Sequence, residues 1–161
     1  MRDWQNHPGK AWAKRKNGAI IECDYFTEWI FDSSFPRWNE EEERFVANLT
    51  VKVAHEYLSH QMPVAMENVW SPFGIEILVN ALSKSKSINA IKVVRLDCEP
   101  VENHRRDELR PPEDQMRDRV DVVRKELDEY IWPEYLHKLE TTHLSVEETI
   151  DRIETFPPVT S

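Results

Sequence analysis

Short apolar runs separated by polar segments predict four strands along the chain. The runs at 19–23, 63–70 and 91–98 are rich in β-branched residues, and a weaker run follows at 136–141. Each run is continuous rather than alternating, which is typical of strands that are buried on both faces.

Helical spacing of apolar residues separates these strands. Asn39 is a suitable N-cap with Glu42 three residues later, and the apolar positions that follow predict a helix to about Ser59. Ser71-Pro72 opens a second helix, and Ser145 with Glu148 forms a capping box before the last one. Further helical segments are expected at 11–17, at 100–110 and from Glu113 to the break at Pro133.

This alternation of strands and helices predicts the α/β class, with a mainly parallel sheet between two helical layers in a three-layer sandwich. We find no internal repeat and no linker, so we expect residues 1–161 to form a single domain. The tail at 156–161, with two consecutive prolines, is expected to be loose.

Charge and composition narrow the functional classes. The formal net charge of −9 argues against general nucleic-acid binding. The sequence contains no run of 18 apolar residues, so it predicts no membrane span. It has no apolar segment near Met1, so it predicts no secretory signal. Cys23 and Cys98 end strand-like runs and fit reduced, buried thiols, so we expect a cytoplasmic protein.

A glycine–lysine pair in the stretch NHPGKAW is the strongest sign of specific chemistry. Gly9-Lys10 precedes a helical segment, as in a phosphate-binding loop. When the full motif is aligned on Gly9-Lys10, Trp4 stands where the motif has its first glycine, and Ala11 stands where it has a serine or threonine hydroxyl. A strand normally precedes the loop, and Met1–Asp3 are too few residues to form one. Two interpretations stay open, a degenerate phosphate loop and an exposed turn with a chance Gly-Lys.

Acids and arginines follow the ends of the predicted strands. Asp24 ends the first strand and Glu67 has the same position on the second, and the carboxyl ends of parallel strands are where α/β proteins bind ligands. Arg106 and Arg110 are four residues apart on one helical face and could clamp a phosphate. The alternative for this segment is a solvated helix stabilised by i,i+4 ion pairs.

The order of these features resembles the small P-loop kinases, the group that includes nucleoside monophosphate kinases, adenylylsulfate kinase and chloramphenicol phosphotransferase. The resemblance covers roughly residues 9 to 154. It is carried by Gly9-Lys10, by the acid-tipped strands at 21–26 and 64–70, and by 139–142 with the capped helix at 144–149.

The resemblance implies a P-loop NTPase-like fold with an altered or incomplete first βα unit, and an ATP- and Mg²⁺-dependent phosphotransferase acting on a small molecule or nucleotide. Lys10, next to Gly9, would then contact the phosphates, and Asp24 would position or deprotonate the acceptor. Glu67 would hold Mg²⁺ through water. Arg106 and Arg110, in a lid-like segment at about 100–119, would stabilise the transferred phosphoryl group.

A non-catalytic, kinase-like binding or structural subunit is the alternative function. Ala11 and the missing first strand favour it, and a protein partner or a homo-oligomer would then be expected. The aromatic residues after Asp24 also have two interpretations, an acceptor site for a planar molecule and plain packing. They are Tyr25, Phe26, Trp29, Phe31, Phe35 and Trp38.

Overall fold

The computed structural model describes residues 7–159 and contains four short parallel strands. They are β1 (Ala19–Glu22), β2 (Val64–Glu67), β3 (Val93–Asp97) and β4 (Leu136–Glu140). β1 pairs in parallel with β2, and β3 pairs in parallel with β4. The predicted α/β class with parallel strands is confirmed. Trp4 and Met1–Asp3, which enter the phosphate-loop argument, lie outside the described residues.

Seven α-helices connect or flank these strands in the described part of the chain. They are α1 (Pro8–Arg15), α2 (Tyr25–Glu28), α3 (Glu40–Ser59), α4 (Pro72–Leu82), α5 (Pro100–Glu108), α6 (Arg119–Glu129) and α7 (Val146–Thr155). The caps expected from the sequence form: Asn39 accepts the N–H groups of Glu41 and Glu42, and Ser145 and Glu148 form a capping box.

The helix expected from Glu113 begins later, at Arg119. The carboxylate of Asp107 accepts the backbone N–H groups of Met116 and Arg117 at 2.9 and 2.8 Å, which holds an irregular turn before α6. Arg117 has a φ of 53°, a left-handed conformation that a right-handed helix cannot include. The helical pattern in the sequence therefore continues across a turn fixed by a side chain.

The strands form two separate pairs rather than one sheet. Glu67 uses its carbonyl toward β1, and Asp97 uses its carbonyl toward Thr141 at the end of β4. Because successive residues of a strand direct their backbone groups to opposite edges, Met66 in β2 and Leu96 in β3 point to the other edge. Within residues 7–159, no strand pairs with that edge of β2 or of β3.

One apolar core nevertheless joins the two pairs. Ile21 and Cys23 pack with buried residues of α3 and α4, and the partly buried Val93 and Leu136 join the same cluster. Leu96, on β3, keeps 40% of its surface exposed. The apolar strand residues therefore share a core without being fully covered.

The end of the chain is held more firmly than its composition suggests. The backbone N–H of Val159 donates to the carbonyl of Ile91 at 2.7 Å, and the Val159 side chain packs against the core cluster. The tail expected to be loose from 156 onward is thus anchored at Val159, while 160–161 lie outside the described residues.

Candidate functional site

The carboxyl ends of β1 and β2 bring acidic residues to the start of α1. Glu22 and Glu67 are paired in the register of the two parallel strands, and Asp24 lies two residues after the end of β1. α1 packs against both strands. The fold therefore brings the ends of these strands close to the first turn of α1, which contains Gly9.

The side chain of Glu67 lies against the first turn of α1. A Cβ atom built on Gly9 would be 1.9 Å from Glu67 Oε1, so this carboxylate fills the space directly over the glycine. Its other oxygen, Oε2, is 2.6 Å from His7 Nδ1. Oε2 is buried and makes no hydrogen bond of good geometry, so its contact with His7 Nδ1 is an ion pair.

A carboxylate is electrostatically suited to this position. The start of a helix carries unpaired N–H groups and a partial positive charge, which together stabilise a nearby anion by about 0.3–1 kcal/mol. The contact with Glu67 raises the pKa of His7 against the opposing effect of burial, and the charge of Glu22 raises it further. Glu67 therefore supplies the negative charge that a bound phosphate would supply at a phosphate-binding helix start.

Asp24 and Arg110 face the same region. Partial burial of the Asp24 carboxyl and the charge of Glu28 raise its pKa, although the residue remains exposed to solvent, and Arg110 opposes the rise. Arg110 also lowers the pKa of His7. The structure thus brings Asp24, Glu67 and Arg110 into one electrostatic neighbourhood, with Gly9 at its base.

Arg106 is engaged elsewhere. Its guanidinium donates to Glu102 at 2.7 Å and to the hydroxyl and carbonyl oxygens of Thr141 at 3.0 and 2.8 Å. Hydrogen bonds from Arg105 and Arg106 lower the pKa of Glu102 to about 2. Arg106 therefore ties α5 to the end of β4 and does not join Arg110 in a clamp, because its donors are already used.

Arg110 is the more available of the two arginines proposed for the clamp. More than half of its side chain is exposed, and its nearest carboxylate is that of Asp107 at 3.8 Å. Lys10 is half-buried in the first turn of α1. Of the residues expected in the site, Gly9, Asp24, Glu67 and Arg110 converge, whereas Arg106 does not.

His7 belongs to this site although its sequence context assigned it no role. It is the N-cap of α1, with an extended backbone, and Pro8 follows at the first helical position. A polar residue before a helix-opening proline indicates an N-cap. That signal was present in the sequence, but the contact with Glu67 depends on how α1 packs on β2.

A cleft of about 260 Å³ opens between β3, α5 and α6, and Arg110 is one of the residues that line it. Arg95 lies at its base, 9% exposed, and donates to Asp97 at 2.8 Å, to the Leu127 carbonyl at 2.7 Å and to Asp128 at 2.5 Å. Arg124 from α6 donates to the Cys98 carbonyl. These arginines hold α6 against β3, and their donors are largely occupied.

The aromatic segment after Asp24 divides into inward and outward side chains. Phe26 joins the core cluster, and Phe35 packs edge-on against Phe45 with ring centroids 5.2 Å apart. Trp29, Phe31 and Trp38 are exposed. Plain packing explains the inward group, and the outward group is open to solvent.

Neither a clustered metal site nor a membrane helix occurs in the described residues. No three His, Cys, Asp or Glu side chains between 7 and 159 are arranged to hold one metal ion. None of the helices in the same range is long and apolar enough to cross a bilayer.

Comparison with known proteins adds no assignment for this site. No protein-family model matches the chain, and no curated protein matches it.

Proposed function

We propose that this chain is a non-catalytic, kinase-like binding subunit. The observation that carries the proposal is the position of Glu67, whose carboxylate lies over Gly9 at the start of α1 and pairs with His7. A phosphate at the same helix start would meet this carboxylate at close range, and two anions in one partly desolvated place repel each other strongly.

ATP and Mg²⁺ do not fit the residues as they stand. Ala11 supplies no hydroxyl, and Glu67 is turned onto Gly9 and His7 rather than toward an open metal position. Arg106, expected to stabilise a transferred phosphoryl group, donates to Glu102 and Thr141 instead. Because these contacts do not suit phosphoryl transfer, they support a kinase-like protein that binds a partner without catalysis.

The experiment is a thermal unfolding measurement with and without MgATP, on the wild type and on Lys10→Ala. A ligand at 100 times its Kd stabilises a protein by about 2.7 kcal/mol. For a chain of this size that corresponds to a rise in Tm of roughly 5–10 °C. We expect no rise for either protein. A rise in the wild type that is lost in Lys10→Ala would overturn the proposal.

An ATP-dependent phosphotransferase is the second candidate, favoured by the meeting of Asp24 and Arg110. A carboxyl group with a raised pKa beside an arginine is an arrangement that suits an acid–base residue in a site. In this case Asp24 would orient or deprotonate a small-molecule or nucleotide acceptor, and Arg110 would neutralise charge on it. A Tm rise with MgATP is the result that would favour this candidate.

A further inference from the structure

Three large aromatic side chains near the start of α3 are exposed to solvent. Trp29 is 75% exposed, Phe31 is 92% exposed and Trp38 is 82% exposed. Large exposed apolar patches on soluble proteins commonly mark interaction sites. We call these three residues, together with Glu28, Glu40 and Glu41 beside them, the aromatic–acidic surface.

Polar contacts fix this surface in place. Arg37 donates to the carbonyls of Thr27 and Ile30 at 3.0 and 3.1 Å, and it pairs with Glu42 at 3.2 Å. The end of α2 is therefore held next to the start of α3, which sets Trp29 and Trp38 on neighbouring segments. The backbone that carries these aromatic side chains is therefore held by hydrogen bonds.

The segment of sequence that carries these aromatic rings is strongly acidic. Between residues 22 and 43, eight of the nine charged residues are Asp or Glu, and the exception is Arg37. Glu42 and Glu43 are engaged internally, with Arg37 and with Ser71. Glu28, Glu40 and Glu41 remain exposed, and they are neighbours of Trp29 and Trp38 in the sequence, so this segment presents carboxylates together with aromatic rings.

Aromatic faces flanked by carboxylates bind cations, and the chain itself shows this preference. The guanidinium of Arg119 lies 4.9 Å from the centre of the Trp38 ring, and that of Arg37 lies 5.4 Å from the centre of Phe35. Such contacts are favourable because the ring face is electron-rich. Within residues 7–159, neither Trp29 nor Phe31 takes part in a cation–π contact or a ring pair of this kind.

The exposure of the rings decides what kind of partner they suit. Small-molecule sites are concave and enclose most of the ligand, whereas side chains that are at least three-quarters exposed stand on a convex surface. A second copy of this chain would bring the same acidic surface and the same net charge of −9. A flexible cationic chain can contact several separated rings and carboxylates at once.

We propose that the aromatic–acidic surface binds a lysine- and arginine-rich polypeptide segment. The proposal names the partner of the binding function above and rests on it. The test is fluorescence anisotropy of a short labelled peptide of alternating arginine and serine, with a glutamate–serine peptide as the comparison. We expect saturable binding of the basic peptide, weakened by salt, and no binding of the acidic one.

Two variant pairs test the surface itself. Trp29→Ala/Phe31→Ala should weaken binding about ten-fold, since exposed aromatics are common hot spots, and Glu40→Gln/Glu41→Gln should weaken it about three-fold through lost ion pairs. Matched controls remove the same chemistry elsewhere, with Ile131→Ala for apolar area and Glu113→Gln/Glu126→Gln for charge, and should leave binding unchanged. All of these side chains are exposed, so thermal unfolding should show every variant folded.

Each contrary outcome overturns the proposal in a recognisable way. If the Glu113→Gln/Glu126→Gln control loses as much affinity for the basic peptide as Glu40→Gln/Glu41→Gln, the peptide is attracted by the overall negative charge of the protein and not by this surface. If an arginine amide competes at concentrations equal to the peptide, the partner is a small cation. A Tm rise with MgATP would instead overturn the proposed function, and because that measurement contains no peptide, the two failures are distinguishable.

Discussion

Replacing Gly9 by alanine tests the contact between α1 and Glu67. The new methyl group would lie 1.9 Å from Glu67 Oε1 and 2.5 Å from its Cδ, so the carboxylate must swing away. Because these atoms are the end of a flexible side chain, the cost is the loss of the His7 pair and of the interaction with the helix start. Together these are worth about 1 kcal/mol.

Alanine also has an intrinsic advantage over glycine at this position. Gly9 lies in the first turn of α1 and does not have a positive φ, so alanine should favour the helix by up to about 1 kcal/mol. The two effects oppose each other. We expect Gly9→Ala to leave the free energy of unfolding unchanged or to lower it by up to about 1 kcal/mol in the wild type.

A double-mutant cycle with Glu67→Ala separates the two effects. Without the carboxylate, Gly9→Ala should raise the free energy of unfolding by about 0.5–1 kcal/mol, giving a coupling energy of about 1 kcal/mol. Urea denaturation of the four proteins measures this, since a change in midpoint at constant slope reports stability. Equal effects of Gly9→Ala in both backgrounds would refute the contact between Glu67 and the helix start.

Three further predictions concern buried charge, pH and the open strand edges. Arg95→Met should lower the free energy of unfolding by about 2–4 kcal/mol, because Asp97 and Asp128 lose their shared partner. The exposed Arg105→Met should cost much less. Urea denaturation compares the two variants, and equal losses would contradict this prediction. His7 has a pKa raised above its ordinary value, so its stabilising effect is present below about pH 6.5 and is lost as the pH rises through the raised value. The variant His7→Gln should therefore lower Tm more at about pH 6 than at about pH 9. A loss of Tm that does not depend on pH would argue against the ion pair. The amide hydrogens of Met66 and Leu96 should exchange with solvent much faster than those of the paired strand edges, because no strand of residues 7–159 covers them. Slow exchange measured by NMR at both positions would show that these edges are covered.

Local signals in the sequence were sufficient for most elements. Asn39 and Ser145 start helices where capping rules place them, and the apolar runs around Ile21 and Val94 form strands. These features depend on neighbours within a few residues. The start of α6 could not be anticipated, because it is set by the side chain of Asp107 from a different helix.

The arrangement of the strands and of the site depended on tertiary contacts. The strands were expected to form one sheet, but the described strands form two pairs. Predicting this arrangement requires knowing which strand edges meet. The approach of Asp24 to Glu67 follows from the pairing of parallel strands, whereas the position of Arg110 depends on how the end of α5 packs. The turning of Arg106 onto Thr141 was not expected, since sequence spacing gives the shared face of a helix but not the partner across it.

The most direct test of the central claim is isothermal titration of MgATP into the wild type, Glu67→Ala and Glu22→Ala. Glu22 is paired in register with Glu67 but does not lie over Gly9, so it controls for the loss of one negative charge. We expect no binding to the wild type or to Glu22→Ala, and weak, millimolar binding to Glu67→Ala once the start of α1 is open. Binding of MgATP to the wild type as tight as to Glu67→Ala would contradict the account.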